Sequence, residues 1–208
     1  MRLDAEFFCS ALAFADCPGW QRIELAIAGR SNVGKSSLLN ALAEKKTLAR
    51  ISKTPGRTRS LNFFTVGEHL ALVDLPGYGY AKMAQGDAEK IVRVMDQYLR
   101  YRMNLKAVVL LVDARRGLQK EECEIAQLVQ SPGPYGNGTR DLIVVATKCD
   151  KLKRSARNSW LKSFESSRIR PLMCSAVTGE GIDQLRRQVL SFISHPADNF
   201  RKFARKEG

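Results

Sequence analysis

The chain has 208 residues, of which 44% are hydrophobic, and it carries a formal net charge of +13. Its apolar runs, such as 107–112, are far shorter than the ~18 residues of a membrane span, and its five cysteines include no C-x-x-C pair, which argues against a redox or zinc protein. The composition therefore predicts one compact domain over residues 1–208, without a membrane span, whose basic surplus favours an anionic partner.

Short apolar runs alternate with helix-like stretches along the chain, as expected for an α/β protein built as a three-layer sandwich. Strands are predicted near residues 23–28, 61–66, 70–75, 107–112, 142–147 and 170–174. Helices are predicted near residues 35–44, 87–103, 119–130, 155–167 and 180–194. This alternation predicts a mostly parallel six-stranded sheet with helices on both faces.

Two of the strand candidates are too close together for a crossover connection. Only Gly67-Glu68 separates the run 61–66 from the run that starts at His69, so these strands should form an antiparallel hairpin. The sheet should therefore contain one antiparallel edge strand. Residues 1–21 are expected to form an N-terminal extension on the sheet edge, and residues 199–208 a basic C-terminal tail.

A phosphate loop lies between the first of these strands and the first helix. Residues 29–36 read G-R-S-N-V-G-K-S, the full G-x-x-x-x-G-K-[ST] pattern. Gly29 and Gly34 let the backbone bend so that N–H groups point at phosphate oxygens beside the positive end of the helix. Lys35 would reach the β- and γ-phosphates, and the hydroxyl of Ser36 would bind Mg²⁺. The alternative is a glycine turn with an incidental lysine.

A polar segment follows the first helix. Residues 52–60 read S-K-T-P-G-R-T-R-S, which predicts an exposed loop shaped only by its proline and glycine. A second hydroxyl ligand for Mg²⁺ is expected in this loop. Thr54 and Thr58 both qualify by their chemistry, and the alternative is that neither binds the metal.

The sequence Asp74-Leu75-Pro76-Gly77 follows the apolar run 70–73, so its aspartate should lie at the end of a strand, where sheet-built sites open. Asp74 can hold Mg²⁺ directly or through a water molecule. The N–H of Gly77 would then engage a γ-phosphate, which makes the following segment sensitive to that phosphate. Alone, a D-x-x-G sequence is equally typical of a surface turn.

Two later segments indicate which base is bound. Thr147-Lys148-Cys149-Asp150 follows the run 142–146, and its aspartate can accept hydrogen bonds from N1–H and the amine of guanine, a pattern that adenine lacks. GTP is therefore favoured over ATP, which argues against a nucleotide kinase. Met173-Cys174-Ser175-Ala176 would bring a backbone N–H to the guanine carbonyl oxygen, although alone it would be an ordinary strand end.

These motifs together resemble the EngB (YihA/YsxC) family of bacterial ribosome-assembly GTPases, within the larger Era/TrmE-like group. The segments that carry the resemblance are G-R-S-N-V-G-K-S-S-L at 29–38, T-P-G-R-T at 54–58 and D-L-P-G-Y-G-Y-A at 74–81. P-G-Y-G-Y-A is the most specific of them, and the resemblance covers nearly the whole chain. Arg59 departs from the family pattern, which more often has glutamine there.

The resemblance implies a P-loop GTPase fold and assigns Thr58, rather than Thr54, as the metal ligand of the 52–60 loop. The metal ligands are then Ser36, Thr58 and Asp74, and the catalytic residues are Lys35 and Gly77. The expected GTP contacts are Gly29, Arg30, Ser31, Asn32, Val33, Gly34, Lys35, Ser36, Ser37, Gly56, Arg57, Thr58, Arg59, Ser60, Asp74, Leu75, Pro76, Gly77, Thr147, Lys148, Asp150, Cys174, Ser175 and Ala176.

Hydrolysis should be slow, because Tyr78 stands where many GTPases place the glutamine that orients the attacking water. The segment around Tyr78 and Tyr80 should rearrange with the nucleotide, and both tyrosines are of the exposed type, although packing within the loop is an equal alternative for them. Asn32 occupies the position at which potassium-activated relatives place a K⁺ ligand, so K⁺ stimulation is a further hypothesis.

The basic surplus is concentrated in the last part of the chain. Residues 151–208 contain thirteen Lys and Arg against five Asp and Glu, a surplus of eight. Solvated helix faces would explain any one of these residues, but as a field they favour RNA. We therefore expect a cytoplasmic, monomeric switch that binds ribosomal RNA or the large ribosomal subunit. The alternative is a protein-binding switch in cell division and septation without ribosome contact.

Overall fold

The computed structural model describes residues 3–49, 60–79, 85–132, 139–164 and 169–194. Within these residues, the strands are β1 (Ala5–Ala11), β2 (Ile23–Gly29), β3 (Leu61–Val66), β4 (Leu70–Asp74), β5 (Leu105–Asp113), β6 (Asp141–Thr147) and β7 (Leu172–Met173). The helices are α1 (Lys35–Ala43), α2 (Gln85–Tyr101), α3 (Lys120–Gln130), α4 (Arg154–Lys162) and α5 (Ile182–Ser194).

The strands form one sheet in the order β1-β3-β4-β2-β5-β6-β7. From β4 to β7 every neighbouring pair is parallel. Only β3 runs the other way, antiparallel to both β4 and β1. The predicted hairpin of β3 and β4 turns at Gly67, whose φ of +57° suits a residue without a Cβ. The predicted α/β fold with a mostly parallel sheet is confirmed.

The sheet has seven strands in the described part of the chain rather than the predicted six. The additional strand is β1, part of the predicted N-terminal extension, which pairs with β3 from Ala5 opposite Val66 to Ala11 opposite Leu61. The antiparallel strand β3 is therefore second from the edge. β1 escaped prediction because Phe7 and Phe8 are both more than half exposed, which breaks the alternation typical of a half-buried strand.

Helices cover both faces of the sheet, as predicted. On one face, α1 and α5 pack through residues such as Leu39 and Leu185. On the other face, α2 and α3 pack through residues such as Tyr98 and Val129. Trp160 of α4 belongs to a separate apolar cluster, in which it packs with residues of β5 and β6. The sheet is thus buried between two layers of helices, which explains its nearly continuous apolar strands.

The element boundaries differ from prediction mainly near the C-terminus. The predicted helix 155–167 ends at Lys162, and the chain continues in a tighter turn in which the N–H of Phe164 donates to the carbonyl of Leu161 at 3.1 Å. The predicted strand 170–174 is only Leu172–Met173. The predicted tail at 199–208 lies outside the described residues. None of the helices in the described ranges combines the length and apolar character of a membrane span.

Candidate nucleotide site

The predicted motifs meet at one end of the sheet. β2 ends at Gly29, β4 at Asp74, β5 at Asp113 and β6 at Thr147. Because these strands are parallel neighbours, their carboxyl ends lie side by side, at the edge where open α/β sheets bind ligands. The topology therefore joins segments that are more than a hundred residues apart in the chain.

Backbone geometry explains the glycines of the phosphate loop. Gly34 directly precedes α1 and has a φ of +112°, a conformation that favours glycine. Gly29 is required by space, because a Cβ there would lie 2.8 Å from Cγ1 of Val33 and 3.0 Å from Cβ of Leu111. The loop leads into the N-terminus of α1, whose first backbone N–H groups suit a phosphate.

Lys35 and Asp74 form the charged centre of the site. The ammonium of Lys35 lies 3.4 Å from the carbonyl oxygen of Gly29. Burial lowers the pKa of Lys35, and the Asp74 carboxylate opposes that shift. Asp74 is only 4% exposed, and burial raises its pKa to about 6 although Lys35 acts in the opposite direction. Perturbed charged groups of this kind are typical of functional sites.

The oxygen atoms at this centre fit a Mg²⁺ ion. Among the described residues, no donor reaches Oδ1 of Asp74, although this oxygen is buried. Ser36 contributes a partly buried hydroxyl from the first turn of α1. Carboxylate and hydroxyl oxygens are ligands that Mg²⁺ prefers, and a cation would compensate the unpartnered oxygen. Thr58, the third predicted ligand, and its competitor Thr54 lie outside the described residues.

Gly77 lies directly against the phosphate loop. A Cβ at this position would be 3.0 Å from Nζ of Lys35 and 3.1 Å from the backbone nitrogen of Ser31. Glycine is therefore the residue that lets the segment after Asp74 approach the lysine so closely. The backbone of Gly77 is thus placed beside the cation that would hold a γ-phosphate.

The T-K-C-D segment supports the phosphate loop from the other side. Nζ of Lys148 donates to the carbonyl oxygen of Asn32 at 2.6 Å and to Oδ2 of Asp113 at 2.9 Å. The hydroxyl of Thr147 donates to the carbonyl oxygen of Val33 at 2.8 Å. These two side chains act on the protein backbone, so they hold the loop in shape for a ligand.

Asp150 is held ready as a hydrogen-bond acceptor. The hydroxyl of Ser175 donates to Oδ1 of Asp150 at 2.7 Å, and the ammonium of Lys151 lies 3.2 Å from Oδ2. The hydrogen bond from Ser175 lowers the pKa of Asp150, so the carboxylate stays ionised. The same hydroxyl accepts from the backbone of Val177 and Thr178, which orders the turn around Ala176.

Three of the predicted contact residues have partners within the fold, and their contacts with GTP stay predictions. Leu75 and Cys174 are fully buried in the core, and the N–H of Cys174 donates to the carbonyl of Ala146. Ser60, at the start of β3, donates its hydroxyl to Oδ1 of Asn62. The remaining predicted contacts of that loop, Gly56, Arg57, Thr58 and Arg59, lie outside the described residues.

Of the two alternatives that the sequence left open for Tyr78, the structure shows packing rather than exposure. Its ring packs against the core beneath α2 and α3, and its hydroxyl donates to Oε1 of Glu122 at 3.3 Å. The apolar packing of the ring is the physical reason, since it removes the tyrosine from water while leaving the hydroxyl a partner. Tyr80 lies outside the described residues.

Sequence reasoning missed Asp113, although the signal was present. Asp113 follows the apolar run 107–112 as Asp74 follows its own strand, and the carboxyl end of a parallel strand faces the site. Asp113 borders a cavity of about 240 Å³, which is also lined by Ser31, Asn32 and Arg116. Its hydrogen bond to Lys148 connects the end of β5 to the phosphate loop.

This combination of fold and site is that of a P-loop GTPase, and known proteins agree with it. A family model described as 50S ribosome-binding GTPase matches residues 24–148. The probable GTP-binding protein EngB of Solibacter usitatus is 41% identical over 191 residues, which cover 92% of this chain and 97% of that protein. The protein of the same name from Pelotomaculum thermopropionicum is 45% identical over 187 residues, 88% of this chain and 91% of that one.

Solved structures give the same result. The crystal structure of a probable GTP-binding protein EngB has a TM-score of 0.61 and 26% identity, with 82% of this chain and 98% of that chain covered. Era, in complex with MgGDPNP and nucleotides 1506–1542 of 16S ribosomal RNA, also has a TM-score of 0.61 and 26% identity, with 83% and 57% covered. The chain belongs to the EngB family of GTP-binding proteins, and it binds and hydrolyses GTP.

Proposed function

We propose that this GTPase is a slow switch whose GTP-bound state assists assembly of the large ribosomal subunit, and that normal cell division and septation require it. One observation carries the proposal, which is the description of the matching family model as a 50S ribosome-binding GTPase. The structural relative Era, seen bound to a segment of 16S ribosomal RNA, supports RNA as the class of partner.

The charge of the chain supports the same partner. Residues 151–208 carry a surplus of eight positive charges. On and beside α4, the side chains of Lys151, Lys153, Arg154 and Lys162 are exposed. Clustered cations of this kind bind a phosphate backbone with an affinity that falls as salt is raised, because counterions are released on binding.

The geometry of the site supports the proposed nucleotide contacts. Lys35 and the N–H groups at the start of α1 bind the β- and γ-phosphates, while Gly77 offers its N–H to the γ-phosphate. Asp150 accepts from N1–H and the amine of guanine, and the turn at Ala176 faces the guanine carbonyl. The other proposed contacts are the remaining phosphate-loop and base-motif residues named above.

A bound Mg²⁺ would neutralise charge that develops on the phosphates. Ser36 and Asp74 would hold it, Asp74 directly or through a water molecule, together with Thr58. Era is seen with MgGDPNP, which supports this metal. Lys35 adds positive charge at the β- and γ-phosphates, so the chain's own residues contribute position and electrostatics rather than covalent chemistry.

Slow hydrolysis is expected because the described residues offer no clear group to orient the attacking water. Tyr78 occupies the position of the usual glutamine, and its hydroxyl donates to Glu122. Four further expectations stay predictions: one G domain over residues 1–208, a monomer, a cytoplasmic location, and K⁺ stimulation near Asn32. The last of these requires faster turnover in K⁺ than in Na⁺ buffer.

Co-sedimentation with large ribosomal subunits tests the proposal. A non-hydrolysable GTP analogue should strengthen binding well beyond GDP, and raising salt should weaken both complexes. A variant with Lys153→Glu and Arg154→Glu should bind about tenfold more weakly in both nucleotide states. Lys90→Glu, an exposed charge change on α2, is the matched control.

Subunit binding that is equally strong with the GTP analogue and with GDP would contradict the proposed switch. A protein that never sediments with subunits, yet associates with a division protein in its GTP state, would instead support the alternative of a protein-binding regulator.

A further inference from the structure

Four side chains connect the phosphate loop, the segment after Asp74 and the start of α3. The guanidinium of Arg30 donates to Oε1 of Glu121 at 2.9 Å. The hydroxyl of Tyr78 donates to Oε1 of the neighbouring residue, Glu122, at 3.3 Å. We call Arg30, Tyr78, Glu121 and Glu122 the Tyr78 latch. Two residues at the start of one helix thereby hold two different segments of the nucleotide site.

The backbone joins the same two segments directly. Arg30 and Tyr78 form a parallel bridge, and the N–H of Ser31 donates to the carbonyl oxygen of Tyr78 at 2.9 Å. Gly79 follows with a φ of +80°, and a Cβ there would lie 3.1 Å from Cζ of Arg30. The guanidinium thus occupies the space beside Gly79, and the segment from Gly77 to Gly79 is fixed against the phosphate loop.

The part of the latch at the start of α3 is held by further contacts. Glu122 is only 2% exposed, and its second oxygen accepts from the N–H of Gln119 at 3.0 Å, which caps α3. The ring of Tyr78 packs into the core between the sheet and this helix. Burial, followed by the charge of Glu122, raises the pKa of Tyr78, so its hydroxyl remains a donor.

The latch determines the position of Gly77, one residue before Tyr78. Its Cα is placed so that a Cβ would lie 3.0 Å from Nζ of Lys35. A γ-phosphate oxygen that pairs with this ammonium would therefore lie close to the backbone of Gly77. The bridge between Arg30 and Tyr78 and the hydrogen bond from Ser31 to Tyr78 are the protein contacts that hold the neighbouring backbone in this place.

We propose that the Tyr78 latch positions the N–H of Gly77 for the γ-phosphate before GTP binds, an inference that rests on the proposed placement of that phosphate between Lys35 and Gly77. Tyr78 is then a positioning residue for GTP hydrolysis, acting through Gly77 rather than on the attacking water. Preorganised donors of this kind stabilise a charged reacting group without reorganisation of the protein when the reaction occurs.

The variant Tyr78→Phe tests the proposal, because it removes the hydroxyl and keeps the ring in the core. We expect kcat/KM for GTP and the affinity for a non-hydrolysable GTP analogue to fall about three- to tenfold, the range produced by loss of one hydrogen bond. The affinity for GDP should stay within about twofold, since GDP lacks the phosphate that Gly77 contacts. Arg30→Lys, which keeps the charge but shortens the reach to Glu121, should act in the same direction.

Glu124→Gln is the matched control, because it changes an exposed charge of α3 that pairs only with Lys120 in the described part of the chain. It should leave both affinities unchanged. If Tyr78→Phe lowers the affinities for GDP and for the GTP analogue equally, the tyrosine has only a structural role. If the variant gains preference for the GTP analogue, the latch opposes the active state. Either result overturns the proposal.

The variant Lys35→Ala distinguishes failure of the latch proposal from failure of the proposed placement of the γ-phosphate. If this variant loses affinity for the GTP analogue while Tyr78→Phe leaves the ratio of GTP to GDP affinity unchanged, the latch alone is wrong. If Lys35→Ala keeps that affinity, the placement of the γ-phosphate is wrong, and the latch proposal is overturned with it.

Discussion

At the scale of one residue, we expect the carboxylate of Asp150 to select the nucleotide base. Ser175 orients its carboxylate at 2.7 Å and keeps its pKa low. We predict that Asp150→Asn weakens GTP binding and gains affinity for xanthosine nucleotides, because an amide can donate to a carbonyl where the carboxylate accepted from an amine. Titration with GDP and XDP measures the change. An unaltered preference for GDP would show that Asp150 does not recognise the base.

The protonation state of the Asp113 carboxyl group affects the stability of the folded protein. Partial burial raises its pKa, but hydrogen bonds from Arg115 and Lys148 more than reverse this and hold the pKa of its carboxyl below the ordinary value. A carboxyl group whose pKa is lowered by folding stabilises the protein above its unfolded pKa of about 3.9, and that contribution is lost as the pH falls through the folded value.

We predict that Asp113→Asn lowers the free energy of unfolding by about 1–3 kcal/mol at neutral pH, the usual effect of hydrogen bonds to charged groups. The difference from the wild type should narrow below about pH 4, and urea unfolding at about pH 7 and pH 3.5 measures it. Asp141→Asn, at the exposed start of β6, is the control. A difference that is the same at both pH values would contradict this account of Asp113.

At the level of elements, a buried network joins the N-terminal segment, β2 and the end of α2. Glu24 of β2 is fully buried. Its carboxylate accepts from the indole of Trp20 at 2.7 Å, the hydroxyl of Tyr98 at 2.7 Å and Nε of Arg102 at 2.9 Å. Arg102 also donates to the carbonyl of Pro18. These contacts fix α2 at the end of the sheet opposite the nucleotide site.

We predict that Arg102→Met lowers the free energy of unfolding by about 3–5 kcal/mol, because it leaves the buried carboxylate of Glu24 without its cation. Arg100→Met is the control, since Arg100 forms an exposed pair with Asp96, and it should cost less than about 1 kcal/mol. Thermal or urea unfolding measures both variants. Equal losses would mean that the ion pair with Glu24 adds nothing to stability.

The elements around the site could be predicted because each one carries a strong local pattern. β2, β4, β5 and β6 are mostly apolar runs, and the phosphate-loop pattern predicts a strand before it and a helix after it. β1 could not be predicted, since an edge strand with exposed Phe7 and Phe8 is defined by its partner β3 rather than by its own alternation. The role of Tyr78 was missed for a similar reason, because Glu122 is 44 residues away.

For the whole molecule, the nucleotide site and the concentration of basic residues are the two central features. The nucleotide motifs converge on the carboxyl ends of the parallel strands, whereas the basic surplus is concentrated in residues 151–208, after β6. The sequence alone located both, because motif spacing and charge count need no tertiary information.

We propose that one guanine-nucleotide site controls binding of this protein to the large ribosomal subunit. The most direct test is co-sedimentation of the Asp150→Asn variant with large subunits, in the presence of non-hydrolysable analogues of GTP or of xanthosine triphosphate. We expect the variant to bind subunits in response to the xanthosine analogue and not in response to the GTP analogue, whereas the wild type should do the reverse. Subunit binding by the variant that still follows the GTP analogue, or that is the same with either nucleotide, would contradict it.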